Sequence, residues 1–163
     1  MRRFLLLLLV LAALFAAARA VRELMLDDEA RIRGLIEDMA REFDDGSAAG
    51  AVAGLARDWR DASTGLDRAT LRAALARLFF QQGLSDAGGA WRVELPPEHF
   101  ALALEPSEPD GARVACRARF FVAGAVEPFW VVAIEAELAR GEDGWEVLRS
   151  DHRTLAGRLS NGG

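Results

Sequence analysis

Few side chains in this chain are suited to chemistry. Asp61 and Asp151 are carboxylates, a residue type that serves as a general base. Arg149 stands two residues before Asp151, and a paired Arg and Asp can bind a polar ligand or tune a carboxylate. Trp59 and Trp130 fall on apolar stripes, where they either line a pocket or pack in the core. His99 and His152 stand far apart with no supporting pattern around them, which argues against a metal site. Both read as surface residues. Cys116 lies on the apolar side of its segment and reads as a buried, inert thiol. All 20 basic residues are Arg; the chain has no Lys and no Tyr. Schiff-base chemistry, a phosphate-loop lysine and a tyrosine acid are therefore excluded. No Ser-His-Asp set, glycine-rich phosphate loop or metal-binding run occurs, so neither a metal nor a cofactor is expected.

These residues need a scaffold, and the composition provides for one. A length of 163 residues with 52% hydrophobic and 28% charged residues suits one domain with a buried core. The net charge of -5 argues against nucleic acid as a partner. One cysteine excludes an intramolecular disulfide.

The first twenty residues read as an address. Arg2 and Arg3 precede an unbroken apolar run over 4–18, followed by Ala18-Arg19-Ala20. A basic start, an apolar stretch and a small-residue cleavage site describe a secretory signal. The run falls short of the roughly 20 residues that span a bilayer comfortably. Residues 1–20 are thus expected to be a signal peptide or, uncleaved, a short membrane anchor, with the domain over 21–157 and a frayed tail over 158–163. Cleavage after Ala20 removes Arg2, Arg3 and Arg19 and takes the net charge from -5 to -8. The expected location is the bacterial periplasm or outside the cell, or the inner membrane if the anchor is kept. Any membrane contact is expected through this segment alone.

Three amphipathic helices should follow. Ile32, Leu35, Ile36, Met39, Ala40 and Phe43 recur at helical spacing after Asp27-Asp28, and Asp44-Asp45-Gly46 ends that helix. Ser47 can cap a second, with Ala48, Val52, Leu55, Ala56 and Trp59 as its stripe and Gly50 and Gly54 weakening it. Asp61 to Gly65 reads as a turn or short strand. Asp67 caps a third helix, with Leu71, Ala74, Leu75, Leu78 and Phe79 inward.

After Gly88-Gly89 the period becomes two. Trp91, Val93 and Leu95, then Val114 to Val122, then Trp130 to Leu138 alternate with charged residues. Gly141 to Gly144 is a hairpin turn, and Trp145 and Val147 open the last strand. Short connections make the sheet antiparallel. If Phe120 faces Trp130 or Val132, Arg117 and Arg119 share a face with Glu135 and Glu137. One face is then solvated and the other packs on the helices, an α+β arrangement. Arg149 and Asp151 share the parity of Trp145 and Val147, so they should face inward and His152 outward.

This order resembles the nuclear transport factor 2-like superfamily over roughly residues 28 to 155. The resemblance rests on Phe43-Asp44-Asp45-Gly46-Ser47 between the first helices, Trp59-Arg60-Asp61, Gly65-Leu66-Asp67-Arg68 opening the third helix, and Gly144-Trp145-Glu146-Val147 on the last strand. It implies a cone, with three N-terminal helices on one face of a curved antiparallel sheet and a pocket between them. It also implies that fold alone does not name a function. Ketosteroid isomerases in that superfamily use an Asp base near the position of Asp61, but the Tyr they pair with it has no counterpart here. Asp61 reads equally as a turn residue before a helix.

The reading that follows is an exported, non-catalytic domain. It binds a small hydrophobic or amphipathic ligand through Trp59, Trp130, Arg149 and Asp151, or pairs with a second copy through its sheet. The alternatives are a general acid–base enzyme of isomerase or dehydratase type using Asp61 or Asp151, and a membrane-tethered accessory domain.

Overall fold

The Ile32–Phe43 spacing forms the helix it predicts. The computed structural model of the chain describes residues 28–81, 91–104, 110–122 and 124–157. The signal or anchor segment, the tail over 158–163 and the glycine pair at 88–89 lie outside those residues. Helix α1 runs Asp28–Asp44 and carries Asp28 and Glu29 in its first turn, where acidic groups favour the helix dipole. Ile32 is fully buried beneath it. Gly46 takes φ 72°, a left-handed conformation open to glycine, and turns the chain out of α1. The Ser47 hydroxyl then accepts the Gly50 N–H at 3.0 Å and caps α2, Ala48–Ala51.

The second helix is shorter than its apolar stripe suggests. After Ala51 the chain turns, and Leu55–Asp61 is a strand, β1. Gly54 lies against α1 so closely that a Cβ there would come within 2.7 Å of Leu35 and Met39 side chains. From Gly54 onward the chain joins the sheet: its carbonyl accepts the Val147 N–H at 2.9 Å. Helix α3, Arg68–Gln81, is capped by Asp67, whose Oδ1 accepts the Thr70 N–H at 2.7 Å. Phe79 is buried and Leu71, Leu75 and Leu78 are half-buried, whereas Ala74 faces out.

The remaining strands are β2 (Trp91–Glu94), β3 (Ala101–Leu104), β4 (Gly111–Val122), β5 (Trp130–Gly141) and β6 (Gly144–Gly157). The sheet order is β1-β6-β5-β4-β2, with β3 also on β4. Strands β2 and β3 occupy successive stretches of one edge of β4, separated by Pro96-Pro97 and a 3-10 turn over Pro97–His99. Proline lacks the N–H a continuous strand would need there.

The sheet is mixed rather than antiparallel throughout, because β1 joins β6 in parallel. The fold is α+β, a curved, unclosed six-strand sheet with few helices. Phe120 does pair with Trp130, with ring centroids 4.8 Å apart. Arg113 opposes Glu137, and Arg117 and Arg119 lie on that same side with Glu135. The other side carries the core, including Val52, Leu55, Trp59, Val114, Leu138, Trp145 and Val147.

One clasp fixes the start of α1 to the β5–β6 hairpin. The Trp145 indole N–H donates to Asp28 at 3.3 Å, and Arg140 pairs with Asp28 while lying over the Trp145 ring at 5.1 Å. Burial opposes the Asp28 charge, but these donors hold its carboxyl below the ordinary range. No helix among the described residues is long and apolar enough to cross a membrane.

Candidate functional site

The concave side of the sheet, α1 and α3 border an open-sided cavity of about 540 Å³. Small-molecule sites commonly fall between about 300 and 1,000 Å³. Its walls are apolar: Met39 and Phe43 from α1, Leu71 and Leu75 from α3, and Val114, Cys116, Phe120 and Ile134 from the sheet. Trp59 and Trp130 line it as well. The Trp130 indole N–H donates to the Thr154 hydroxyl at 3.0 Å. Burial pushes the Cys116 thiol up to about 11, so it stays protonated in the wall.

Thr64, Ser150 and His152 form a polar corner of this cavity. Behind them lies Asp61, 4% exposed at the end of β1. Its carboxylate is saturated. Oδ2 accepts the Thr64 N–H at 2.9 Å, the Thr64 hydroxyl at 2.5 Å and the Ser63 hydroxyl at 2.9 Å. Oδ1 accepts the Ser150 hydroxyl at 3.1 Å and lies 3.2 Å from His152 Nδ1. Burial alone would raise this carboxyl, but the hydrogen bonds from Thr64, Ser63 and His152 outweigh it and hold it below the ordinary range. A saturated carboxylate has no lone pair left to offer a substrate. Asp61 therefore orients its neighbours rather than acting on a ligand.

The negative oxygen of Asp61 requires a donor, which assigns the His152 proton to Nδ1. Ser63 Oγ lies 2.7 Å from the same nitrogen and also accepts the His152 backbone N–H at 3.2 Å. Because Asp61 and Ser63 meet one ring nitrogen, the three do not form a nucleophile–base–acid relay. His152 Nε2 has no hydrogen-bond partner among the described residues, on a ring that lines the cavity.

Arg149 and Asp151 are elsewhere. Along β6, Val147 pairs with Leu138 but Arg149 pairs with Glu137, so Leu148 is an extra residue. This β-bulge reverses the strand's parity beyond it. Ser150 and His152 then face the concave side, opposite Ala136 and Ile134, while Arg149 and Asp151 face the convex side. The expected inward pair and outward histidine are thus exchanged. Arg149 and Asp151 border a separate hollow of about 330 Å³ with Arg113, Glu135 and Glu137. His99 is half-buried, with Arg117 Nη1 donating to its Nε2 at 3.0 Å. Among the described residues no three His, Cys, Asp or Glu side chains gather to hold a metal.

Sequence reasoning therefore missed His152, Ser150 and Thr64. One signal was available. Val147-Leu148 breaks the alternation, and beyond it the charges fall on Arg149, Asp151 and Arg153, the residues that belong in solvent.

No protein-family model matches the chain, and no curated protein matches it. Solved structures do. An NTF2-like protein with a cystatin-like fold from Novosphingobium aromaticivorans is 24% identical, with a TM-score of 0.63 over 86% of this chain and 90% of that one. A domain of unknown function with a cystatin-like fold from Nostoc punctiforme is 18% identical, with a TM-score of 0.60 over 81% and 79%. ActVI-ORFA from Streptomyces coelicolor is 18% identical, with a TM-score of 0.58 over 78% and 94%. At these identities the likeness is one of architecture: the chain has the cystatin-like fold of NTF2-like proteins.

Proposed function

We propose that this protein binds a small, uncharged, mostly apolar molecule in the cavity, with one polar group of that molecule held at the Thr64–Ser150–His152 corner. The observation that carries this reading is the segregation of the lining. Apolar walls surround one polar corner, and among the described residues no Arg, Asp or Glu lines the cavity. A charged ligand would find no Arg, Asp or Glu counter-ion among those residues.

The test uses Nile red, a neutral dye whose emission reports an apolar site. It should bind saturably. Ala136→Phe, which pushes a ring into the cavity, should weaken binding about 30-fold, and Arg149→Ala on the convex face should not change it. Equal affinity in wild type and the folded Ala136→Phe variant would overturn the reading.

A second reading is favoured by the Asp61–His152 contact. An imidazole held through Nδ1 by a carboxylate, with Nε2 bare, is suited to general acid–base work. On this reading His152 meets the substrate and Asp61 positions it.

Export belongs to the same proposal and rests on residues 1–20. Expressed in a bacterium with its own N-terminus, the protein should be recovered from the periplasm without detergent and begin after Ala20. An intact mass obtained only with detergent would mean tethering by residues 4–18 instead.

A further inference from the structure

The protons of the polar corner are all spoken for. An ionised carboxylate only accepts, so every hydroxyl bonded to Asp61 must donate to it. Thr64 gives its hydroxyl proton to Oδ2, and Ser150 gives its own to Oδ1. Ser63, beside them, also donates to Oδ2. The His152 ring proton is on Nδ1, between Asp61 Oδ1 at 3.2 Å and Ser63 Oγ at 2.7 Å. Turning any of these protons toward the cavity would set a lone pair against the carboxylate and forfeit a charge-assisted hydrogen bond.

What Thr64, Ser150 and His152 present to the cavity is therefore lone pairs alone. The hydroxyl oxygens keep theirs once the protons are spent, and Leu66 N–H draws on Thr64 only at a long 3.4 Å. On a neutral ring with Nδ1–H, Nε2 is an acceptor. It has no partner among the described residues, and it is not a buried atom; the His152 side chain is 32% exposed.

We infer that the polar group of the ligand is a hydrogen-bond donor, an uncharged O–H or N–H, whose proton His152 Nε2 accepts beside the Ser150 and Thr64 oxygens. This deepens the binding reading and rests on it. A ketone or an ether brings only lone pairs and would set acceptor against acceptor at this corner.

The experiment compares 1-(2-naphthyl)ethanol with 2-acetylnaphthalene, which share their heavy atoms and differ in whether the oxygen carries a proton. Affinities are measured by displacement of Nile red at about pH 8, where an ordinary imidazole is neutral. The alcohol should bind about tenfold more tightly, a ratio equal to about 1.4 kcal/mol. Asp61→Asn should bring the two within about twofold of each other. The Thr64 backbone N–H, 2.9 Å from Oδ2, can only donate, so it keeps the amide oxygen on its side. The amide NH2 then faces Ser150 and His152, Nδ1 becomes the acceptor, and the ring proton moves to Nε2. In wild type, the His152 Nε2 15N signal should move with the alcohol and not with the ketone. That measurement decides the matter if Asp61→Asn does not fold. Equal affinities in wild type, an alcohol preference that survives in Asp61→Asn, or an Nε2 signal indifferent to the alcohol would overturn the inference while leaving the cavity as a binding site. Failure of wild type to bind either probe or Nile red would instead remove the binding reading itself.

Discussion

Asp61→Ala is expected to lower the unfolding free energy by about 3 kcal/mol at pH 7. The carboxylate gathers donors from Ser63, Thr64, Ser150 and His152, and it is 4% exposed. Alanine leaves those donors without their charged acceptor. Asp61→Asn keeps the shape and one acceptor oxygen and should cost about half as much. The sign of the pH dependence follows from the lowered carboxyl. Its folded value lies below the unfolded value of about 3.8, so the stabilisation is complete above that unfolded value. It is lost as the pH falls through the lower folded value. Urea denaturation between pH 7 and pH 2 should show the gap between wild type and Asp61→Asn narrowing in acid. A cost for Asp61→Ala below about 1 kcal/mol, or a gap that ignores pH, would mean that the network does not hold a charged carboxylate. The same variant should release the His152 ring, visible as a changed imidazole signal by NMR.

Ile32→Ala should cost a comparable amount, about 3 kcal/mol. Ile32 is fully buried and belongs to the core shared by α1, β1 and the sheet. The other apolar residues of α1, from Leu35 to Phe43, are half-buried, and Ile36, Met39, Ala40 and Phe43 border the cavity. Ile32 is the fully buried side chain of this helix, and Leu35, Ile36 and Met39 pack against the same core beside it. Alanine would leave a void beneath a helix whose far side already borders empty space. Urea denaturation should show a lowered midpoint with an unchanged slope. A loss below about 1 kcal/mol would mean that the end contacts, Asp28 with Arg140 and Trp145 and the 2.6 Å bond from Val93 N–H to Asp44, hold α1 in place.

Much of this architecture can be read from local pattern. Helix α1 follows from its apolar spacing, α3 from Asp67, and the β4–β5 pairing from the parity of Phe120 and Trp130. Strand β1 cannot be read in that way. Leu55 and Trp59 stand four residues apart, which is close to one helical turn and also an even number of strand steps. What selects the strand is tertiary: Gly54 packs against Leu35 and Met39, and the free edge of β6 accepts the chain. The site is harder still. Asp61 is recognisable as a turn residue from its neighbours Ser63 and Thr64. Its other two partners, Ser150 and His152, lie 89 and 91 residues away, and nothing local to Asp61 announces them. Their orientation also depends on where β6 changes phase, which a regular alternation carried forward from Trp145 and Val147 misplaces.

The extra residue at Leu148 has a meaning for descent as well as for shape. Beyond it, β6 interleaves two alphabets: Arg149, Asp151 and Arg153 on one side, Ser150, His152 and Thr154 on the other. Deleting Leu148 would only straighten the strand, with Arg149 still opposite Glu137 and Ser150 still opposite Ala136; straightening it with Leu148 kept would exchange the two sets, giving the interior a guanidinium and a carboxylate and turning the imidazole out. Losing the bulge with the residue count unchanged would thus rewrite the inner face of β6 with no side chain replaced. Two cones aligned with a gap on the wrong side of residue 148 would have their inner and outer residues equated, and homology inferred position by position would compare a wall with a surface.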